Sequence, residues 1–245
     1  IGTPVIGNID TDQELEIVIG GYQGPTSSCP LYAINHDGTD VLGFPYIVGE
    51  KIKSGAAIAD MNDNGVDDII FGTDGDNLYV LLDDQTIAPN FPIDLGNNIQ
   101  SEPAVYMMEN EKIILSGCKN NNFYAFNYST GELRFVIATG DDVYNSPSFD
   151  EDGNIYFGSD DGRIFGIASI NPHQDKQDYF NELSRCVKEL GFVGVKLHTI
   201  GHAVNPAGAD GTMIFESAGQ LGIPVMVHTG PGVGATRSSK HVALK

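Results

Sequence analysis

Four segments of this 245-residue chain repeat one pattern, and that repetition restricts the fold more than any other feature of the sequence. They are PVIGNIDTDQELEIVIGG from Pro4, AAIADMNDNGVDDIIFGT from Ala56, PAVYMMENEKIILSGC from Pro103 and PSFDEDGNIYFGSDDG from Pro147. Each closes on a short apolar run and a glycine, at Gly20, Gly72, Gly117 and Gly158. A polar turn and an aromatic run follow, marked by Tyr32, Tyr79, Tyr124 and Phe165 at spacings of 47, 45 and 41. Short runs rich in Val, Ile, Tyr and Phe between Gly, Asn and Asp turns are strands rather than helices. A period of about 40 to 50 residues with four strands each is the signature of propeller blades.

A fourth strand is expected near VLGFPYIV, NFPIDL and LRFVIAT, but the fourth repeat has none. The fold class is therefore mainly β, three and a half propeller-type blades, followed by an incomplete β/α, TIM-barrel-like segment. The domains fall at 1–166 and 167–245. Through strings such as IIFG, YFGSDDG and LYAI, the first part resembles the FG-GAP, VCBS and PQQ-like repeat families of β-propellers. An open run of blades leaves strand edges unpaired, which makes self-association through those edges an expectation.

Charge divides the chain at the same place. Up to Gly166 there are 6 Lys/Arg against 27 Asp/Glu, and after it 7 against 6, within an overall net charge of −20. Such an acidic surface repels phosphates and anionic membranes, so nucleic acid and membrane are excluded as partners and cations are the natural counterparts. A protein or glycan ligand is left open. No apolar run approaches the ~20 residues of a membrane span. Cys29, Cys118 and Cys186 are too widely spaced for a zinc ribbon or disulfide framework and read as free or buried thiols. The start at Ile1 without a signal sequence suggests processing or excision from a longer parent. The repeat part points to an extracellular or periplasmic protein, whereas the second part would suggest the cytoplasm.

Two acidic turns carry the spacing of calcium loops. In Asp60-Met-Asn62-Asp-Asn64-Gly65-Val66-Asp-Asp68, side-chain oxygens alternate, a glycine sits at the turn and an acid closes the loop. A hard cation takes about six to eight oxygens, and Asp60, Asn62, Asn64 and Asp68 offer side chains while Val66 offers a carbonyl. Asn8, Asp10, Asp12 and Glu16 align with this pattern, with Gln13 in place of the glycine, so the second-repeat loop is the better match. The plainer reading of both is a solvated turn between strands. Asn127-Tyr128-Ser129 fits a glycosylation sequon that chance supplies as readily.

From Ile164 the pattern changes. Phe180, Leu183, Val187 and Leu190 fall on one helical face, with Asp175 as cap and Gly191 as stop. A strand at FVGVKLH (192–198), a helix over 210–220 and a strand at IPVMVH (223–228) follow, an order that calls for parallel pairing. Reactive groups in such units gather at the C-terminal strand ends, which here carry Asn171, His173, Lys196, His198 and His228. The strings ASINPH, GFVGVKLH and GIPVMVHTGPG resemble the middle of the amidohydrolase-related branch of metal-dependent hydrolases, over about 70 residues. The resemblance implies a Zn²⁺- or Mn²⁺-type ligand at His228 and, more remotely, a carboxylated lysine at Lys196. The family's paired histidines on the first barrel strand, its later histidine and its final aspartate have no counterpart. Catalytic zinc needs three protein ligands, and His173, His198 and His202 default to packing or a polar rim. No GxSxG elbow, P-loop or dinucleotide fingerprint is present.

Three functional readings result. The chain is a non-catalytic, calcium-binding β-repeat protein with a vestigial or grafted β/α segment. Alternatively it is a metal-dependent hydrolase or decarboxylase completed by another chain, or else an artificial or misassembled chimera. RIFGI serves equally as third strand of a blade and first strand of the β/α segment, so a single shared strand is expected over 163–170.

Overall fold

In the computed structural model, residues 2–12, 14–22, 29–108, 111–149, 154–198 and 203–228 are described, apart from the side chains of Met108, His198 and His228. The chain divides into two compact units. One comprises Ile1–Met107, Lys112–Pro147 and Gly158–Arg163; the other comprises Met108–Glu111, Ser148–Phe157 and Ile164–Lys245.

The first unit is built of four-stranded antiparallel meanders, the form of propeller blades. Blade 1 contains β1 (Val5–Gly7), β2 (Glu16–Gly20), β3 (Pro30–Ile34) and β4 (Tyr46–Ile47) in sequence order. Blade 2 repeats this with β5 (Ala56–Ala59), β6 (Asp68–Gly72), β7 (Asn77–Leu81) and β8 (Ile93–Asp94). Blade 3 has β9 (Ala104–Met108), β10 (Glu111–Cys118), β11 (Asn122–Asn127) and β12 (Leu133–Ala138). The expected fourth strands are therefore present in all three.

Blades join face to face. Val18, Leu31 and Ala33 of blade 1 pack with Ile69, Phe71 and Leu81 of blade 2. The opposite face of blade 2, with Ile70, Leu78 and Val80, packs on Ile114, Cys118 and Phe126 of blade 3. Alternation along each strand sends successive residues to opposite neighbours, so a central blade is apolar on both faces.

The repeated glycines have a common cause. A Cβ at Gly20 would stand 2.3 Å from Ile52 Cγ2, one at Gly72 2.1 Å from Ile99 Cγ2, and one at Gly117 2.4 Å from Val143 Cγ1. In each case the chain leaving the blade lies across the glycine. It is pinned there by Ile52 N to Gly21 O (3.2 Å), Ile99 N to Thr73 O (2.9 Å) and Val143 N to Cys118 O (3.2 Å). Gly158 breaks the series, since the nearest atom to its Cβ position is Asn145 Nδ2 at 2.8 Å, on a residue that precedes it.

The second unit carries a five-stranded sheet in the order β13 (Ser148–Phe149), β14 (Ile155–Gly158), β15 (Ile164–Ser169), β16 (Phe192–His198), β17 (Val225–His228). The shared strand is therefore real: β15 neighbours β14 on one side and pairs in parallel with β16 on the other. β16 occupies the place of the missing fourth blade strand but runs the other way. That direction requires a crossover, which α1 (Lys176–Lys188) provides. Asp175 caps it, its carboxylate accepting from Gln177 N at 2.8 Å. The buried residues are Tyr179, Leu183 and Cys186; of the expected face Leu183 is buried, Phe180 and Val187 are partly buried, and Leu190, beyond the helix, is half exposed. The helix is thus turned from the expected face by roughly 50°, about half a residue. α2 (Ala209–Leu221) ends at Gly222, whose φ of 69° suits a glycine cap, and β17 pairs in parallel with β16.

Tyr179 is fully buried among Leu183, Val195 and Ile214, and its hydroxyl has no hydrogen-bond partner among the described residues. Burial accordingly pushes its phenol far up. A buried unpaired donor costs about 1–3 kcal/mol, so Tyr179→Phe should raise stability by about 1 kcal/mol in urea unfolding. A loss of stability would show that the hydroxyl has a partner. Cys29, Cys118 and Cys186 are all buried and form no disulfide.

Candidate cation-binding loops

The first-repeat loop connects β1 to β2, and its closing acid, Glu16, is the first residue of β2. Strand pairing of Gly7 with Glu16 draws the two ends of the loop together. Glu16 is 0% exposed. Its Oε2 accepts from Ile9 N at 2.9 Å, while Oε1 is buried with no partner among the described residues. Asp10, Asp12 and Glu16 each bring a carboxylate oxygen within 4.8 Å of the others. Asn8 adds a second buried, unpartnered oxygen, Oδ1.

Local bonds hold this shape. Asp10 Oδ1 accepts from Asp12 N at 2.9 Å, Asp12 Oδ1 from Glu14 N at 2.7 Å, and Asn8 Nδ2 donates to Asp12 O at 3.2 Å. The second blade braces the loop: Asn8 N donates to Asp67 Oδ2 at 3.1 Å, and Asp67 N donates to Asn8 O at 2.8 Å. Burial pushes the Glu16 carboxyl above its ordinary range; the Ile9 bond opposes this, and the charges of Asp10 and Asp12 reinforce it. Burial also raises Asp67. Converging oxygens with unmet lone pairs are the donor set of a hard cation, so these residues fit one.

The loop from β5 to β6 is closed on itself. Asp60 accepts from Asn64 N (Oδ1, 3.2 Å) and Gly65 N (Oδ2, 2.8 Å); Asn62 Oδ1 accepts from Asn64 N at 3.1 Å, and Asn64 Oδ1 from Val66 N at 2.9 Å. Buried Asp68 uses both oxygens, taking Met61 N at 2.7 Å and Asp83 N at 2.9 Å, and burial raises its carboxyl. The amides of Asn62 and Asn64 donate to Asp83 Oδ1 at 3.2 and 2.8 Å. The Lys112 ammonium reaches Asp63 at 2.7 Å and Met61 O at 2.9 Å. Gly65, at φ 89°, makes the turn that its glycine predicts. The orphaned oxygens among the described residues of the two loops lie in the first, whereas those of the second are engaged by its own backbone and by Asp83. Gln13 is outside the described residues. Asp67, Asp83 and Lys112 were not singled out by the repeat pattern, as each acts across a contact that no local spacing encodes.

In the second unit, His198 and His228 occupy paired register positions on β16 and β17, and Lys196 pairs with Met226. Lys196 is buried. His173 Nδ1 lies 2.9 Å from Asp210 Oδ2, both side chains being about half exposed, and its backbone N donates to Asn171 Oδ1 at 3.0 Å. His202 and the 230–234 glycine run lie outside the described residues. The parallel register thus brings two of the candidate histidines to one row.

Residues 134–243 match the family model described as Amidohydrolase, a span that begins in β12, before the shared strand. No curated protein sequence matches the chain. Among solved structures it is similar to the WD40 beta propeller domain of Doa1, with 12% identity and a TM-score of 0.49 over 65% of this chain and 48% of that one. It is also similar to BamB from Moraxella catarrhalis, with 15% identity and a TM-score of 0.45 over 63% and 47%. A third similar structure is BBS1N in complex with ARL6DN, with 11% identity and a TM-score of 0.45 over 66% and 50%. The chain spans about half the length of these three proteins. Among the described residues no helix is long and apolar enough to cross a membrane.

Proposed function

We propose that this chain is a non-catalytic β-repeat protein whose first blade holds a hard divalent cation, Ca²⁺. The observation that supports this reading most is the orphaned Glu16 Oε1, buried beside the carboxylates of Asp10 and Asp12. Asn8, Asp10, Asp12 and Glu16 would hold the ion, whose charge would offset their mutual repulsion. Asp60, Asn62, Asn64, Val66 and Asp68 would form a weaker second site, reached only by exchanging the loop's own hydrogen bonds. Such a cation-dependent module suits an extracellular or periplasmic setting and a protein or glycan ligand.

Calorimetric titration of chelator-stripped protein with Ca²⁺ tests the reading. Stoichiometric binding is expected, with Asp60→Ala removing at most one weak event and leaving the principal one. Absence of binding at millimolar Ca²⁺, or loss of all binding in Asp60→Ala, would refute it.

The Amidohydrolase match and the His198–His228 row favour a second reading, a metal-dependent hydrolase or decarboxylase in which another chain completes a Zn²⁺ or Mn²⁺ site at His228. It requires bound metal that disappears in His228→Ala, and metal-free purified protein would sink it. A chimera without evolved activity fits the same join of two patterns within one sheet.

A further inference from the structure

We propose, resting on the cation reading, that the side chain which each following blade sends back to a loop sets that loop's affinity for a divalent cation: Asp67 favours an ion in the first loop, and Lys112, a tethered positive charge, disfavours one in the second.

The repeat gives these two residues one position. Gly117 pairs with Phe123 as Gly72 pairs with Leu78, so Lys112, five residues before Gly117, stands where Asp67 stands before Gly72. The two loops match in the same way. Gly7 pairs with Glu16 as Ala59 pairs with Asp68, which aligns Asn8 with Asp60 and Ile9 with Met61. Their closing acids make the same bond, Glu16 Oε2 accepting from Ile9 N and Asp68 Oδ2 from Met61 N. From equivalent positions, each side chain crosses to the preceding blade and meets the opening of its loop. Asp67 Oδ2 accepts from Asn8 N at 3.1 Å, and Lys112 Nζ donates to Met61 O at 2.9 Å.

Charge is what differs. Lys112 also reaches Asp63 Oδ1 at 2.7 Å, and the first loop has Thr11 in the place of Asp63. Lys112 is 9% exposed, so its ammonium is a fixed and poorly screened positive charge against the second loop. A divalent ion among Asp60, Asn62, Asn64 and Asp68 would be repelled by it. The first loop receives a carboxylate instead. Burial, reinforced by the charge of Asp60, pushes the Asp67 carboxyl up, and a cation nearby would relieve that strain on its charged form. The unmet acceptors divide along the same line. Glu16 Oε1 and Asn8 Oδ1 are buried without a partner among the described residues, whereas both oxygens of Asp68 are engaged.

Calorimetric titration of the chelator-stripped full chain with Ca²⁺, with melting temperatures in EDTA as a check on folding, tests the proposal. Lys112→Met keeps the apolar stem and removes the charge, so the second, weak event should tighten by about tenfold, and Asp60→Ala in that background should abolish the gain. Lys112→Gln, which keeps a donor, should tighten it as well, so that a packing defect in one variant does not decide the outcome. Lys112→Arg keeps the charge and should leave it unchanged. Asp67→Asn keeps an oxygen for Asn8 N without the charge and should weaken the principal event by about tenfold, which Lys112→Met should leave in place. A purely structural role for Lys112 predicts loss of binding on substitution, never gain. If the wild type binds Ca²⁺ but neither Lys112→Met nor Lys112→Gln tightens the second event, or Asp67→Asn binds as the wild type does, the proposal is overturned while the cation reading stands. A wild type that binds nothing overturns the cation reading; the role of Lys112 then survives only if Lys112→Met gains a site that Asp60→Ala removes, and otherwise falls with it.

Discussion

Glu16→Gln is expected to stabilise the cation-free protein and to abolish its response to Ca²⁺. In the wild type, the Glu16 carboxylate is buried, satisfied at Oε2 by Ile9 N and orphaned at Oε1, with Asp10 and Asp12 close by. An unmet buried acceptor costs about 1–3 kcal/mol, and more when charged. A glutamine keeps an oxygen for Ile9 N and turns an amide donor toward the two aspartates, so one substitution removes a charge and fills the vacancy. The melting temperature without cation should rise by a few degrees, since about 1 kcal/mol moves it ~2–4 °C at this size. With Ca²⁺ the order inverts: the wild type gains stability by mass action and the variant does not. If thermal unfolding with EDTA showed the variant less stable, Glu16 would be satisfied by something other than a cation and the site would fall.

The same group sets a dependence on pH. Its folded pKa is raised, so the folded chain holds the proton more tightly than the unfolded one. Without cation, stability should therefore increase as pH falls from the raised folded value toward the ordinary glutamate value of about 4.3, where the gain is complete. Asp67, Asp68 and Glu102, each raised by burial, act in the same direction. Below that range the trend turns, because Asp37, Asp84 and Asp161 are held low by hydrogen bonds and lose stabilisation as they protonate. With Ca²⁺ bound, acidification displaces the ion and stability falls throughout.

Period and composition sufficed for the blades because each strand is short, apolar and bounded by turn residues, and because Gly20, Gly72 and Gly117 recur at one structural position. The shared strand was legible too, since Ile164–Ser169 satisfies an antiparallel and a parallel context with the same apolar residues. The face of α1 was not. Phe180 and Tyr179 are both aromatic, and only packing against Val195 and Ile214 selects Tyr179. Nor could spacing rank the two acidic loops. Asp60–Asp68 has the better alternation, but its oxygens are consumed by its own backbone and its amides by Asp83. In the first loop Glu16, one methylene longer than Asp68, keeps one oxygen free.

Gly72→Ala should cost about 3 kcal/mol, near the upper end of what overpacking a core position imposes, because the new methyl has nowhere to go. Its Cβ would lie 2.1 Å from Ile99 Cγ2 and 2.6 Å from Ile99 Cβ. Ile99 is fully buried and tied through its backbone N–H to Thr73 O, so it cannot swing aside without breaking the strap that leads out of blade 2. Ile99→Ala alone should also be costly, about 2–5 kcal/mol, because it leaves a cavity between blades 2 and 3. The two changes are complementary, one adding a methyl where the other removes a branched chain. In a double-mutant cycle followed by urea unfolding, the pair should cost less than the sum by more than about 1 kcal/mol. Additive losses would mean that the Ile99 side chain is not what excludes a methyl at position 72, and the shared explanation of Gly20, Gly72 and Gly117 would fail with it. The same cycle on Gly117 and Val143 checks whether one packing device, used three times, determines where each blade ends and the next begins.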